Sequence, residues 1–288
     1  MKKLLTLIGL LIIQTSSLFS QKTGIVIDEL TNKPIPYVNI HISGTQIGFT
    51  TNQNGEFSID TNQADTAVFS AVGYYIKRFP IELIPDKIYL SQKVYEIPEV
   101  TILQRDKVYF RVGELKRQFP GCRFGNGFGY SKMIGQFIPY EQKYEQTPFV
   151  KSIVFLTYSD VRNAKFNVRL FQLNSNGKPG DVIYDKNIIA IARKGARKTK
   201  IDLDSLNIRF PTSGLIVAIE WLNIEENKFE YTYTMQGSKK KLKATSVEPS
   251  FSVYKNIENE TRWSYWGDDW YKDRKQSKSI QMELTLKN

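Results

Sequence analysis

The chain is 288 residues long and basic, with 40 Lys and Arg against 29 Asp and Glu, a net charge of +11, one His and one Cys. With Cys122 alone no intrachain disulfide can form. With His41 as the only imidazole, neither a His-and-Cys zinc site nor a Ser-His-Asp or Cys-His catalytic unit has its usual parts.

In chain order, Lys2 and Lys3 precede an apolar run over 4–13, and small or polar residues over 14–20 follow it. This is the pattern of a secretory signal peptide over 1–20, with the mature chain expected to begin near Gln21. The run is too short for a transmembrane helix, and no later stretch reaches the roughly 18 apolar residues one needs. An exported basic chain meets lipid head groups and acidic glycans rather than nucleic acid.

Residues 24–28 read as a strand and 31–34 as the turn after it. Residues 35–42 alternate apolar and polar, so one face can be buried. Ser43, Gly44 and Thr45 close that strand. Residues 48–59 read as strand, Asn/Gly turn and strand, and 67–72 and 87–90 as further strands, with Pro80 and Pro85 between them. This order resembles the carboxypeptidase regulatory-like domain, a transthyretin-like β-sandwich. The residues that carry the resemblance are Gly24, Asp28, Thr31, the stretch 34–40, Gly44, Thr45, Gly48, Thr50, Thr51, Asn52, Gly55, Glu56, Phe57 and the stretch 69–74. The resemblance implies an accessory module over 22–95 of the kind attached to exported proteins of Gram-negative bacteria. It implies a periplasmic, outer-membrane-associated or cell-surface address. At Asn52 the chain departs from the family, which usually has an Asp in that turn, and this argues against a cation there.

A boundary is expected near 94–105, followed by a linker over 96–120. Val108, Val112, Leu115 and Phe119 recur at helical spacing, Asp106 can cap them, and Pro120 with Gly121 can stop them, so one short helix is expected near 106–119. The Gly-rich stretch 121–129 lacks the Lys-Ser/Thr ending of a phosphate-binding loop. Beyond it, residues 149–158, 165–173, 182–192, 198–203, 214–222, 229–235, 262–265 and 279–287 read as strands. They argue for a second antiparallel, jelly-roll-like β-sandwich over 121–288, and for an all-β chain. The joint is expected to be open to proteases and the two halves to fold independently.

The segment 263–273 holds five aromatic and three acidic side chains. Flat rings stack on sugar faces and carboxylates accept hydroxyl hydrogens. Trp266, Asp268, Asp269 and Trp270 are the candidate ligand-binding residues, with Trp263 and Tyr265 sharing a face that is expected to be core. The run 239–243, rich in Lys, reads as a solvated hairpin tip. Carboxylate pairs such as Asp268 with Asp269, or Glu220 with Glu225, are the candidates for a glycosidase. The sequence therefore favours an exported non-catalytic binding or scaffold protein, with a glycan or an outer-membrane assembly as partner and without cofactor, metal or nucleic acid. An exported carboxylate-dependent glycan-active enzyme is the rival.

Overall fold

The computed structural model describes residues 21–60, 66–93, 107–115, 123–127, 133–235, 237, 239–255, 262–266, 269–273 and 278–288. The expected signal peptide, most of the expected linker, Cys122 and Asp268 lie outside these residues.

Twenty-two strands form among the described residues, the first seven from short alternating runs punctuated by Gly, Asn and Pro. These seven are β1 (Lys22–Asp28), β2 (Asn39–Ile42), β3 (Gly48–Thr50), β4 (Glu56–Ile59), β5 (Thr66–Ser70), β6 (Lys77–Pro80) and β7 (Lys87–Leu90). They make a sheet of order β4-β1-β7 and another of order β3-β2-β5-β6. Val26, Ile40, Ile42, Phe57, Ile59, Phe69, Ile88 and Leu90 fill the space between them, and the Phe57 and Phe69 rings meet edge-on at 5.4 Å. Alternation puts these side chains on the inner faces.

Two turns explain residues that carried the resemblance. Asp28 is 4% exposed, and its Oδ1 accepts the N–H of Leu30 (2.9 Å) and of Thr31 (2.8 Å). Its Oδ2 accepts the Tyr74 hydroxyl at 2.7 Å and the Gln92 amide. At the hairpin, Asn52 Oδ1 accepts the N–H of Asn54 (2.9 Å) and of Glu56 (3.0 Å), and Asn52 Nδ2 donates to Glu56 Oε2 (2.8 Å). Asn52 Oδ1 accepts the two N–H groups that an Asp would accept, its Nδ2 adds a bond to Glu56 that an Asp could not make, and Gly55 supplies the positive φ of +74°.

Fifteen strands follow: β8 (Tyr109–Gly113), β9 (Arg123–Gly127), β10 (Met133–Ile138), β11 (Phe149–Ser159), β12 (Ala164–Leu173), β13 (Pro179–Val182), β14 (Ile188–Ala192), β15 (Gly195–Asp202), β16 (Leu215–Trp221), β17 (Lys228–Thr234), β18 (Lys241–Lys255), β19 (Arg262–Trp266), β20 (Asp269–Lys272), β21 (Lys278–Ile280) and β22 (Met282–Lys287). One sheet has the order β13-β12-β16-β10-β19-β20, with β14 also on β12. The other has the order β17-β18-β11-β22-β8, with β15 on β11 and with β9 and β21 on β18. All their pairings are antiparallel. The core between them includes Phe166, Val168, Val217 and Ile219 of the first sheet and Ile153, Phe155, Phe251 and Leu284 of the second. Phe166 and Phe251 meet edge-on at 4.9 Å. The chain is nearly all β, as its turn and alternation pattern predicts.

The expected helix near 106–119 is a correction. Residues Tyr109–Gly113 are a strand, paired with β22 from Tyr109↔Lys287 to Gly113↔Glu283. Val108 and Val112 sit four apart, which suits a helix, but Phe110 between them completes a period of two. Phe110 and Val112 pack on the core, and Tyr109 and Arg111 face outward. Gly113, at φ +83°, ends the strand, and Phe119 lies outside the described residues.

The two groups of sheets touch through a polar clamp. Asn223 donates its N–H to Thr50 Oγ1 (3.0 Å) and its Nδ2 to the Gly48 carbonyl (2.7 Å). Asn187 Nδ2 reaches the Pro36 carbonyl (3.3 Å), and Asn39 Nδ2 reaches Glu220 Oε1 (3.4 Å). Glu220, 3% exposed, is in turn held by Arg169, whose Nε and Nη2 donate at 2.8 and 2.9 Å, and by Asn167 Nδ2 at 3.0 Å. Gly73, at φ +83°, lets the backbone in: a Cβ there would lie 2.5 Å from the Asp185 carbonyl oxygen.

Candidate functional site

His41 is a buried residue of β2, paired across to Gly48 and Val68, and its Nε2 has no hydrogen-bond partner. Glu220 belongs to the clamp, whereas Glu225 sits on a surface turn paired with Lys228 at 2.7 Å. These two carboxylates have separate partners and separate surroundings. Among the described residues no group of three or more His, Cys, Asp or Glu could hold a metal ion.

The segment 263–273 folds as the β19–β20 hairpin at the edge of its sheet, with Trp263↔Lys272 and Trp266↔Asp269 in register. Trp263 is buried and Tyr265 packs against the same cluster, as their shared face predicts. Trp270 is a correction. It is 8% exposed, not an open ring, and lies edge-on to Phe171 (5.3 Å) and Tyr265 (5.2 Å). Its ring lies over Gly135 on β10, where a Cβ would touch the indole at 3.4 Å, an ordinary contact, and would clash at 2.7 Å with Ile216 Cγ2. Asp269 stays at the surface, where its Oδ1 accepts the Trp270 N–H (2.7 Å) and its Oδ2 pairs with Lys178 (3.4 Å). The Trp270 N–H, then the Lys178 ammonium, hold its carboxyl below the usual range.

The exposed rings lie elsewhere. Strands β17 and β18 form a ribbon with Lys228↔Val247 at its base and Thr234↔Lys241 near its tip, and β17 is the end strand of its sheet. Six of the seven residues of β17 are exposed and Phe229 is partly buried, so the ribbon stands clear of the core. Period two puts Phe229, Tyr231 and Tyr233 in one row, facing Ser246, Ala244 and Leu242 across the pair. The Phe229 and Tyr231 rings lie 6.4 Å apart and nearly parallel, and Tyr231 and Tyr233 are 6.1 Å apart. Tyr231 and Tyr233 are 38% and 39% exposed, and Met235 beyond them 57%. Lys239, Lys240, Lys241 and Lys243 are exposed at and beside the turn, as the hairpin-tip reading expects. Sequence reasoning found this strand but not the surface. The available signal was a strand without an aliphatic residue, Lys-Phe-Glu-Tyr-Thr-Tyr-Thr, running into a lysine cluster.

A cleft of about 160 Å³ opens between the two larger sheets, lined by Val112, Gln136, Ile138, Tyr144, Tyr254 and Met282 among others. Of the two acids that line it, Glu114 and Glu141, Glu141 accepts the Tyr144 hydroxyl (2.9 Å) and pairs with Lys143 (2.6 Å). Burial, then Glu141, pushes the Tyr144 hydroxyl above its ordinary range.

No curated protein matches the chain. Among solved structures, the cysteine protease and lectin-like domains of Cwp84, a surface layer associated protein of Clostridium difficile, are 13% identical at a TM-score of 0.34, over 55% of this chain and 33% of that one. A clostridial cysteine protease Cwp84 after propeptide cleavage is 12% identical at 0.38, over 88% and 66%. The infectious bursal disease virus Gx strain structure is 9% identical at 0.25, over 93% and 63%. The chain thus spans less than two thirds of each, and superpositions this loose assign neither fold nor activity. The firm match is to a sequence family and covers the sheets from β1 to β7: residues 22–102 match the CarboxypepD_reg-like domain family.

Proposed function

We propose that the chain is an exported, non-catalytic binding or scaffold protein. In this reading the β17–β18 ribbon makes the contact with a glycan, and the CarboxypepD_reg-like domain supports the sandwich that carries it. The observation that carries this is the placement of the aromatic side chains. Those of the 263–273 segment that the structure describes pack largely into a core, whereas Tyr231 and Tyr233 are held in a row on a strand with little core to serve. Ordered, partly exposed rings are what sugar faces stack on, and single exposed aromatics elsewhere need no such account.

The test is binding of the chain from Gln21 onward to a panel of neutral and acidic polysaccharides, with Tyr231→Ala/Tyr233→Ala alongside. Retention of at least one polysaccharide by the parent and its loss in the double variant is the expected result. Turnover of any of them, abolished by changing one acid, would replace this reading with the glycan-active enzyme. Retention of none, together with stoichiometric pull-down of one membrane protein, would replace it with a role in an outer-membrane assembly.

A further inference from the structure

We infer that the polymer taken by the ribbon is an acidic polysaccharide, one carrying a carboxylate or sulfate on its repeating unit; this rests on the glycan reading above. The ribbon over 228–243 carries Lys228, Lys239, Lys240, Lys241 and Lys243 against a single acid, Glu230. Register places Lys241 and Lys243 opposite Thr234 and Thr232, on the face away from the tyrosine row, while Lys239 and Lys240 sit at the turn. Because β17 ends its sheet, the two faces are separated only by the thickness of one strand, and a long lysine stem spans that thickness easily. A linear polymer lying along β17 therefore meets rings on one side and ammonium groups from the other. A chain with sugar faces and regularly repeated anions has both complements.

An anionic lipid surface offers the charge but not the fit. Insertion needs apolar area at the tip, and between Thr234 and Lys241 the only large apolar residue is Met235, beside Gly, Gln, Ser and Lys. The rings run along the shaft instead, where they would not reach acyl chains. Glu225, just before the ribbon, pairs with Lys228 and offsets that charge, which leaves Lys239, Lys240, Lys241 and Lys243 against Glu230.

The experiment uses alginate and dextran sulfate as acidic probes, neutral dextran as control, and phosphatidylglycerol vesicles as the lipid arm. The proteins are the chain from Gln21 onward, the variant Tyr231→Ala/Tyr233→Ala and the variant Lys239→Ala/Lys240→Ala/Lys241→Ala/Lys243→Ala. All these side chains are exposed, so melting temperatures should match, and they are checked first. Binding to at least one acidic polymer is expected, weakening as salt rises. A loss of about tenfold or more is expected in the lysine variant, with a flatter salt dependence, and of about tenfold in the tyrosine variant. Unchanged binding in the lysine variant would overturn the inference, as would a loss in that variant without one in the tyrosine variant, since that pattern is charge attraction alone. Binding of neutral dextran that depends on the tyrosines but not on the lysines would overturn it while leaving the glycan reading intact. Binding of vesicles and of no polysaccharide would overturn both.

Discussion

Asp28 ties separate parts of the first sandwich together, since one buried carboxylate closes the turn after β1 and holds it to Tyr74 and Gln92. Burial alone would raise its pKa, but the Gln92 amide, the Tyr74 hydroxyl and the Thr31 and Leu30 N–H groups outweigh it, and the carboxyl is held well below its usual range. A depressed acid stabilises the fold above its unfolded value and loses that contribution as pH falls toward its folded one. Asp28→Ala should therefore cost about 3 kcal/mol at neutral pH, measured by denaturant unfolding, with the deficit shrinking in acid. Glu248 has the opposite sign. It is 6% exposed, and one oxygen accepts the Ser246 hydroxyl (3.0 Å). Burial first, and the nearby Asp160 charge with it, raise its pKa against the pull of the Ser246 hydroxyl, the Asp160 N–H and Arg123. Stability from a raised acid is complete below its unfolded value and is lost as pH rises through the folded one. Glu248→Gln should thus melt above the parent at pH 7 and converge with it near about pH 4. Equal melting curves at both pH values would show that the carboxyl is not strained. The Asp28 turn is legible in the sequence because Asp28, Thr31, Asn32 and Pro34 mark a turn locally. Glu248 is not, because its burial comes from packing of residues far along the chain.

Strands announce themselves when one face is apolar and the other wet, and β11, β12 and β16 follow the sequence reading within one residue at each end, while β15 begins three residues earlier than read. Elements whose role depends on a distant neighbour were harder to read. β10 has Met133, Gly135 and Phe137 on the face opposite Ile134, and Gly135 looks like a strand breaker until the indole of Trp270 is seen above it. Val108 and Val112 satisfy both the helical and the strand period, and only the pairing of β8 with β22 decides between them. The same long-range dependence moved the candidate surface from the β19–β20 hairpin to the β17–β18 ribbon, because nothing local says which aromatic hairpin folds back and which projects. The hairpin makes a direct prediction. Trp270→Ala should cost about 3–5 kcal/mol of folding stability with a clear fall in melting temperature, as for a large buried ring. Tyr233→Ala, at an exposed position, should change it by less than about 0.5 kcal/mol. A small effect at Trp270 would return that ring to the surface and restore the original candidate site.

At the scale of the whole molecule, the sequence points to two separable halves, whereas the contacts argue for coupling. Composition and Pro98 mark a joint, but no local pattern reveals that Asn223, Asn187 and Glu220 reach across to Gly48, Pro36 and Asn39. Each of these polar groups would be an ordinary surface residue in an isolated sandwich, so the sequence holds no sign of their burial. Their removal from water is offset only while the partner sheets stay docked, which couples the unfolding of one sandwich to that of the other. The parent chain should accordingly unfold in one calorimetric transition. The pair Thr50→Val and Asn223→Ala deletes contacts that span the interface while leaving both inner cores intact. It should split that transition into two, the first 1–2 kcal/mol less stable, about the worth of two net hydrogen bonds with neutral partners. Glu220→Ala should do more harm, about 3–5 kcal/mol, because it also leaves the Arg169 guanidinium buried without its carboxylate. Glu220→Gln, which keeps the shape and removes the charge, should fall between the two. Two transitions already present in the parent, neither of them moved by the Thr50 and Asn223 changes, would mean that the clamp holds nothing and that the halves behave as the sequence suggested. A single transition in the parent that divides in the double variant would mean that the CarboxypepD_reg-like domain is a rigid mount, fixing the direction in which the ribbon is presented.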